Sequence, residues 1–190
     1  MLIKKIDYLV GNLFNNAYLK LPNKPIIIPH IVNDAGLWGS GFVIPLGKQY
    51  SWSKKRYLKW AQDKYDYERN INFCLGSTQI IQVDELHDCP IFVANMVGQH
   101  GIIGIDNKSP ISYNALSKCL QTVDCLTDKL LLAYCRVDII APAFGTHRAG
   151  GDWGIIHELI QQTIVKNGVN LTVYSLTENE RDDLIRKCKN

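Results

Sequence analysis

Two stretches of the chain carry residue types and spacings that could do chemistry together. Residues 26–48 read IIIPHIVNDAGLWGSGFVIPLGK, and residues 137–153 read VDIIAPAFGTHRAGGDW. In the first, an apolar run from Ile26 leads through His30 to Asn33 and Asp34, then Gly36, Gly39 and Gly41, and an apolar segment opens at Phe42. That order predicts a buried strand, a polar strand end, a glycine-rich loop and a helix. The second stretch repeats it, with Gly145, Gly150 and Gly151 ahead of a helix that begins near Asp152. Glycines let a backbone approach a ligand closely. N–H groups left free at the start of a helix attract anions. Two such loops at neighbouring strand ends would clamp a diphosphate between backbone N–H groups. Asn33 and Asp34 would meet a sugar. Asp34 could orient or deprotonate a water, and His147 could protonate a leaving oxygen or steady a phosphoryl group. Histidine suits that work because its pKa lies near neutrality.

The named phosphate motifs do not fit. After Gly39-Ser40-Gly41 the dinucleotide spacing calls for a third glycine where Ile44 stands, and Gly47-Lys48 is followed by Gln49 rather than Ser or Thr.

The elements that must position these loops alternate between strand and helix. Residues 2–9 predict an edge strand, 10–17 a turn, and Pro22 and Pro25 flank the entry to the strand at 26–32. A short helix from Phe42 tolerates Pro45 in its first turn. Residues 53–66 predict a second helix capped by Ser53, with Tyr57, Ala61 and Tyr65 at spacing four. Residues 68–77 look irregular. A hairpin follows, Thr78–Val83 and Ile91–Val97 around a turn at Asp84–Asp88. Ser109-Pro110 predicts a helix start, with Leu116, Leu120, Val123, Leu126 and Leu130 on one face and an end near Tyr134. Val137–Ala141 is a short buried strand, and the helix after Asp152 carries Ile156, Ile160 and Ile164 until Gly168 stops it. Asn170–Leu176 is the last strand, and Thr177 with Glu180 forms a capping box for a final helix. The alternation predicts a three-layer α/β/α sandwich around a mixed, mostly parallel sheet. With 190 residues and no repeat or linker, one domain over 1–190 is expected.

Composition excludes several classes. A net charge of +3 gives no strong nucleic-acid signal, and the cluster Lys54-Lys55-Arg56 with Lys59 reads as the solvated face of a helix. The opening MLIKKIDYLV is too short an apolar run for a signal peptide, and no stretch is long enough to span a membrane. The six cysteines form no C-x-x-C pair, so reduced, mostly buried thiols in a cytoplasmic protein are expected, without a metal site.

Four pieces in order give the chain a resemblance to the macro domain family, which binds ADP-ribose. They are Val10-Gly11-Asn12-Leu13-Phe14, the pair His30–Asp34 and Trp38–Phe42, Val93–Gln99, and Pro142–Trp153. The branch it most resembles contains the yeast-type ADP-ribose-1″-phosphate phosphatases and the terminal ADP-ribose protein glycohydrolases. The resemblance implies the macro domain fold and a role for each piece. Asn12 and Leu13 would lie at the adenine, with Asn12 standing where an aspartate usually accepts a bond from the adenine amino group. Asn33, Trp38, Gly39, Ser40, Gly41 and Phe42 would line the distal ribose and second phosphate. Gly145, Thr146, His147, Arg148 and Ala149 would cradle the diphosphate, and Ser175 and Leu176 would pack near the adenine. The glycohydrolase branch uses a lysine after the first loop and an aspartate in the second. Here Lys48 is one residue off and Ala149 holds the aspartate's position. Asp34, His147 and His30 remain as catalytic candidates, with His100 behind them.

Three readings follow from the sequence. The first is a hydrolase acting at the distal ribose, with ADP-ribose 1″-phosphate as favoured substrate and ADP-ribosylated protein or nucleic acid next. The second is a module that binds ADP-ribose or a related nucleotide without turnover. The third is an α/β domain for another nucleotide, kept open by Asn12. None calls for a cofactor.

Overall fold

The computed structural model describes residues 5–15, 19, 23–86, 88–105 and 107–189. Expectations that fell on residues 2–4, Asn16, Ala17 and Pro22 lie outside them. The elements in order are β1 (Ile6–Val10), β2 (Ile26–Asn33), α1 (Val43–Gln49), α2 (Ser51–Asp63), β3 (Tyr65–Asp66), β4 (Ile71–Asn72), β5 (Thr78–Leu86), β6 (Cys89–Gln99), α3 (Tyr113–Tyr134), β7 (Asp138–Pro142), α4 (Trp153–Gln162), β8 (Leu171–Ser175) and α5 (Glu178–Lys187). Six strands form one sheet in the order β1-β8-β7-β2-β6-β5. All neighbours are parallel except β5 and β6, which pair antiparallel. The mixed, mostly parallel α/β architecture expected from the alternation is the one observed.

Parallel strands covered on both faces must be apolar on both. Ile26, Ile27 and Ile28 of β2 are accordingly all buried. Ile27 belongs to a core beneath α3 and α4 with Leu116, Leu120, Trp153 and Ile156. Ile26 and Ile28 face the other core, with Leu46, Tyr57 and Trp60 of α1 and α2. These two cores make the three layers. The ladder between β2 and β7 ends at Ile27–Ile139, two residues before Pro29, which has no N–H to continue it. Beyond that pair β2 runs on to Asn33 and β7 to Pro142 before their glycine-rich loops begin.

Several local expectations are corrected. α2 starts at Ser51, so Ser53 is no cap. It is buried inside the helix, and the helix ends where Lys64 turns left-handed at φ 59°. Tyr65 and Asp66, expected to end the helix, instead form β3, which pairs with β4 inside the stretch 68–77 expected to be irregular. The first hairpin strand runs on to Leu86, which narrows the turn. α3 begins at Tyr113 with Ser112 as its cap, not at Ser109-Pro110. The reason is that residues 109–112 are spent on bridging: the Pro110 carbonyl accepts from His100 N–H at 2.7 Å, and Ile111 bridges Gln99. α4 ends at Gln162, and Gly168 closes a separate 3-10 turn, Val165–Asn167. The final cap holds, with Thr177 Oγ1 accepting from Glu180 N–H, but Glu180 reaches back to Leu176 N–H instead of the cap's own. Cys74, Cys125 and Cys135 are exposed, so the thiols are not mostly buried. Among the described residues no helix is long and apolar enough to cross a membrane, and no group of three or more His, Cys, Asp or Glu could hold a metal ion.

Candidate functional site

An open cleft of about 1020 Å³ crosses the carboxyl ends of the parallel strands. It is large even for a small-molecule site, for which roughly 300–1,000 Å³ is usual. Ligands of open α/β sheets sit at this edge. The cleft begins at Asn12 after β1 and Leu176 after β8, passes the loops after β7 and β2, and reaches Gln99 at the end of β6.

Both glycine-rich loops face it. Gly39, Ser40, Gly41 and Phe42 line one side, and Gly145 through Ala149 line the other. The second loop is closed by a hydrogen bond from Gly151 N–H to Gly145 O at 2.9 Å, and by Ala149 N–H to Thr146 O at 2.7 Å. The N–H groups of Ser40, Gly41 and Phe42, and those of Thr146, His147 and Arg148, donate to no acceptor among the described residues. N–H groups left unpaired in two facing loops form a nest for anionic oxygen. Gly41 sits at φ 73° and Gly145 at φ 79°, a region that side chains other than glycine rarely adopt. His147 adopts φ 25° without that freedom. Such strain persists only where the surrounding structure enforces it, and it gathers at functional loops.

The acidic and basic side chains lining the cleft, among the described residues, are His30, His147, Arg148 and Glu180. Thr146 Oγ1 donates to Ala143 O at 2.9 Å, so it accepts from His147 Nδ1 at 3.1 Å. Glu180 Oε1 lies 3.9 Å from the same Nδ1. Nε2 is then the ring nitrogen left for a ligand. Glu180 was legible in the sequence as a capping residue; nothing in its spacing placed it beside His147.

The structure separates the remaining candidates. Asn12, Leu13, Asn33, Phe42, Arg148, Ala149 and Leu176 line the cleft; Asp34, Trp38, His100 and Ser175 do not. Trp38 is buried beneath the first loop, edge-on to His30 at 5.7 Å. Ser175 is buried and acts through its carbonyl, which accepts from Gly11 N–H at 2.9 Å. Lys48 is absent from the cleft lining. Asn33 uses its amide on the loop itself, donating to Leu37 O at 2.8 Å and accepting from Leu37 N–H at 3.0 Å. Asp34 Oδ2 meets His100 Nδ1 at 2.6 Å, and Oδ1 accepts from Gly101 N–H at 2.9 Å. The carboxylate thus ties the end of β2 to the segment after β6, whose Ile102, Ile103 and Ile105 form an apolar rim.

His30 lines the floor of the cleft but is only 1% exposed. Its Nε2 meets Asn95 Oδ1 at 2.6 Å, Asn95 Nδ2 donates to Gln79 Oε1 at 3.1 Å, and Gln79 donates to Asp66 at 2.7 Å. Burial pushes the His30 pKa down to about 4, against the smaller opposing pull of the Asn95 hydrogen bond. It is therefore neutral near pH 7, a weak base and no acid. An unfolded chain binds this proton below about pH 6.5, whereas the folded one does so only below about 4. The stability His30 contributes is complete above about pH 6.5, falls as the pH drops, and levels off below about 4. The expected loss at pH 5 relative to pH 7 is about 2 kcal/mol from this residue. Urea unfolding of the wild type and His30→Gln across that window checks it; equal slopes in the two proteins would remove His30 as the cause.

No protein-family model matches the sequence, and no curated protein matches it. Solved structures do. A protein of unknown function from Bacteroides thetaiotaomicron is 30% identical, with a TM-score of 0.72 over 90% of this chain and 98% of that one. A macrodomain protein from Streptomyces coelicolor is 28% identical, with a TM-score of 0.69 over 90% of this chain and 99% of that one. Thermosipho africanus DarTG in complex with ADP-ribose is 13% identical, with a TM-score of 0.65 over 92% of this chain and 42% of that one, a likeness of fold alone.

Proposed function

Because this chain has the macrodomain fold, we propose that its cleft binds ADP-ribose or an ADP-ribose derivative, and that the protein hydrolyses a group carried at C1″ of the distal ribose. The observation that carries the binding is the pair of facing loops, 39–42 and 145–149, whose unpaired N–H groups suit a diphosphate. They fix two phosphates with little net positive charge in the cleft. That the DarTG structure holds ADP-ribose supports the choice of ligand.

The first candidate substrate is ADP-ribose 1″-phosphate. Ala149 offers no carboxylate for covalent chemistry in the second loop. Release of phosphate asks for less: a water aimed at the phosphorus, and donors for its oxygens. The distal ribose would lie past the loops, by Asn33 and Gln99. Asp34 and His100 follow those two residues directly. In this reading Asp34 is a positioning residue. Its carboxylate fixes the His100 tautomer with Nδ1–H toward Asp34, in the manner of an oriented acid–base histidine. His147 serves the phosphoryl side from the second loop.

Phosphorus NMR of the protein with ADP-ribose 1″-phosphate tests the reading. The inorganic phosphate signal should grow with the wild type, and Asp34→Ala should lose at least 100-fold in kcat with KM within about threefold. His100→Gln should lose a similar factor and flatten the pH profile of kcat. Turnover unchanged in Asp34→Ala would remove it from the mechanism. Diphosphate resonances that shift without phosphate release would instead indicate a binding module for this ligand. ADP-ribosylated protein and nucleic acid would then be the next substrates to try.

A further inference from the structure

A second cluster of reactive side chains lies outside the cleft, where β1, α4 and α5 meet. Tyr8 Oη is 2.9 Å from His157 Nδ1 and 3.2 Å from Cys188 Sγ, and Cys188 Sγ is 3.2 Å from the same Nδ1. A thiol, an imidazole nitrogen and a phenol oxygen thus converge at hydrogen-bond distance. An indole N–H only donates, so Trp153 Nε1–H occupies one lone pair of Tyr8 Oη, at 3.1 Å. The tyrosine's own proton is left for His157 or Cys188. Burial holds the His157 ring below the ordinary histidine range, against the weaker opposing pull of Glu158. The ring is therefore neutral near pH 7, with a lone pair to offer. When Tyr8 O–H turns to the sulfur, Nδ1 is left to take the thiol proton. The chemistry proposed for the cleft uses none of these groups.

Tyr8, His157 and Cys188 are each half-buried, so a small reagent can reach the sulfur. A group added there has little room. Cys188 Sγ also donates to Leu184 O at 3.1 Å, and a Cβ on Gly154 would lie 2.8 Å from the carbonyl oxygen of Lys187, the residue before Cys188. The end of α5 is therefore seated directly on the first turn of α4. Trp153 opens that turn, is fully buried and meets Phe144, the residue before Gly145. Near its other end α5 carries Glu180, which lines the cleft. Displacing α5 at Cys188 thus acts on the support of the second glycine-rich loop.

We propose that Cys188 is a modification site for low-molecular-weight disulfides, with His157 as its base, and that the mixed disulfide loosens the second glycine-rich loop. His157 Nδ1 takes the thiol proton as Sγ attacks one sulfur of the reagent. The bond from Sγ to that sulfur forms as the reagent's own S–S bond breaks. The departing sulfur takes the proton from His157 and leaves as a thiol. The bound half then presses α5 away from α4, because a packed interface yields by shifting when atoms are added. The simpler account is a polar bridge that only ties β1, α4 and α5 together. The two differ in what His157→Gln does. Glutamine can keep a hydrogen bond but is no base, so the proposal requires a slower reaction, whereas a loosened bridge would expose the sulfur and speed it.

The test treats the full chain with bis(2-hydroxyethyl) disulfide, a neutral reagent, and follows each cysteine by peptide mass spectrometry. Cys125 and Cys135 are exposed and serve as internal references. Cys188 should react at least tenfold faster than either, in spite of its lower exposure. His157→Gln should slow Cys188 at least tenfold and leave the two references unchanged. References that react first, or a Cys188 rate unchanged or raised in His157→Gln, overturn the site. Hydrogen exchange then reads the loop, through the amides of Ala149 and Gly151 that bond within it. They should exchange at least fivefold faster in the modified protein, recover on reduction, and not respond in Cys188→Ser treated the same way. Unchanged exchange in the modified protein overturns the coupling to the loop. Neither readout uses a nucleotide, so both outcomes are separate from that of the ADP-ribose reading.

Discussion

Gly151→Ala is expected to remove nucleotide binding, with a rise in Kd for ADP-ribose of at least 100-fold, about 3 kcal/mol. A Cβ built on Gly151 would lie 2.3 Å from the carbonyl oxygen of Gly145 and 3.1 Å from Ile156 Cδ1. The first contact is with backbone, which cannot swing away as a side chain does. That same oxygen accepts the Gly151 N–H bond that closes the loop. Relieving the clash opens the loop and scatters the N–H groups of Thr146, His147 and Arg148, whose value lies in being fixed before the ligand arrives. Gly39→Ala is the control for stability alone, since a Cβ there meets nothing within 4 Å and the fold should keep its melting temperature. Isothermal titration of both variants with ADP-ribose provides the check. A Gly151→Ala protein that binds within threefold of the wild type would show that the second loop does not hold the ligand.

Trp153→Ala is expected to cost the most stability, about 3–5 kcal/mol in chemical denaturation. Trp153 is fully buried at the first position of α4, immediately after the loop. Its ring meets Phe144 edge-on at 6.2 Å and Tyr8 at 6.3 Å, and its Nε1–H donates to Tyr8 Oη at 3.1 Å. Truncation empties that space and withdraws the donor from Tyr8. It also removes the support of Phe144, the residue before Gly145. Affinity should fall with stability, whereas Trp153→Phe, which keeps most of the ring volume and loses the donor, should lose less than half as much of each. Equal losses in the two variants would assign the effect to the hydrogen bond and not to packing.

The strands and glycine loops were legible in the sequence because they are local. Three isoleucines bounded by turn residues form a buried strand in almost any parallel sheet, and Gly145, Gly150 and Gly151 mark a tight loop wherever they fall. Asp152 was legible as a helix start for the same reason, and its carboxylate accepts from Gly154 N–H at 2.7 Å. The helix starts at Ser53 and Ser109 were misread because the competing partners are distant in sequence: Asn95 for the first, His100 and Gln99 for the second. A capping signal yields when tertiary contacts take up the serine's hydroxyl, as at Ser53, or the backbone beside it, as at Pro110 and Ile111.

The division runs through the site as well. The sequence by itself determined that two glycine loops follow two buried strands, and so that backbone N–H groups would be offered to an anion. Which side chains share the cleft was decided by tertiary structure. β2 ends at Asn33 and Asp34 lies in the turn beyond it, and the two neighbours end up with different partners: Leu37 for one, His100 and Gly101 for the other. His30 looked reactive by type, but burial between Trp38 and Asn95 holds it neutral. Glu180, remote in sequence from the second loop, reaches His147 only because β8 lies beside β7 and feeds α5 over the same edge. Strand order is set by contacts summed over the whole sheet, and no single stretch of sequence carries it.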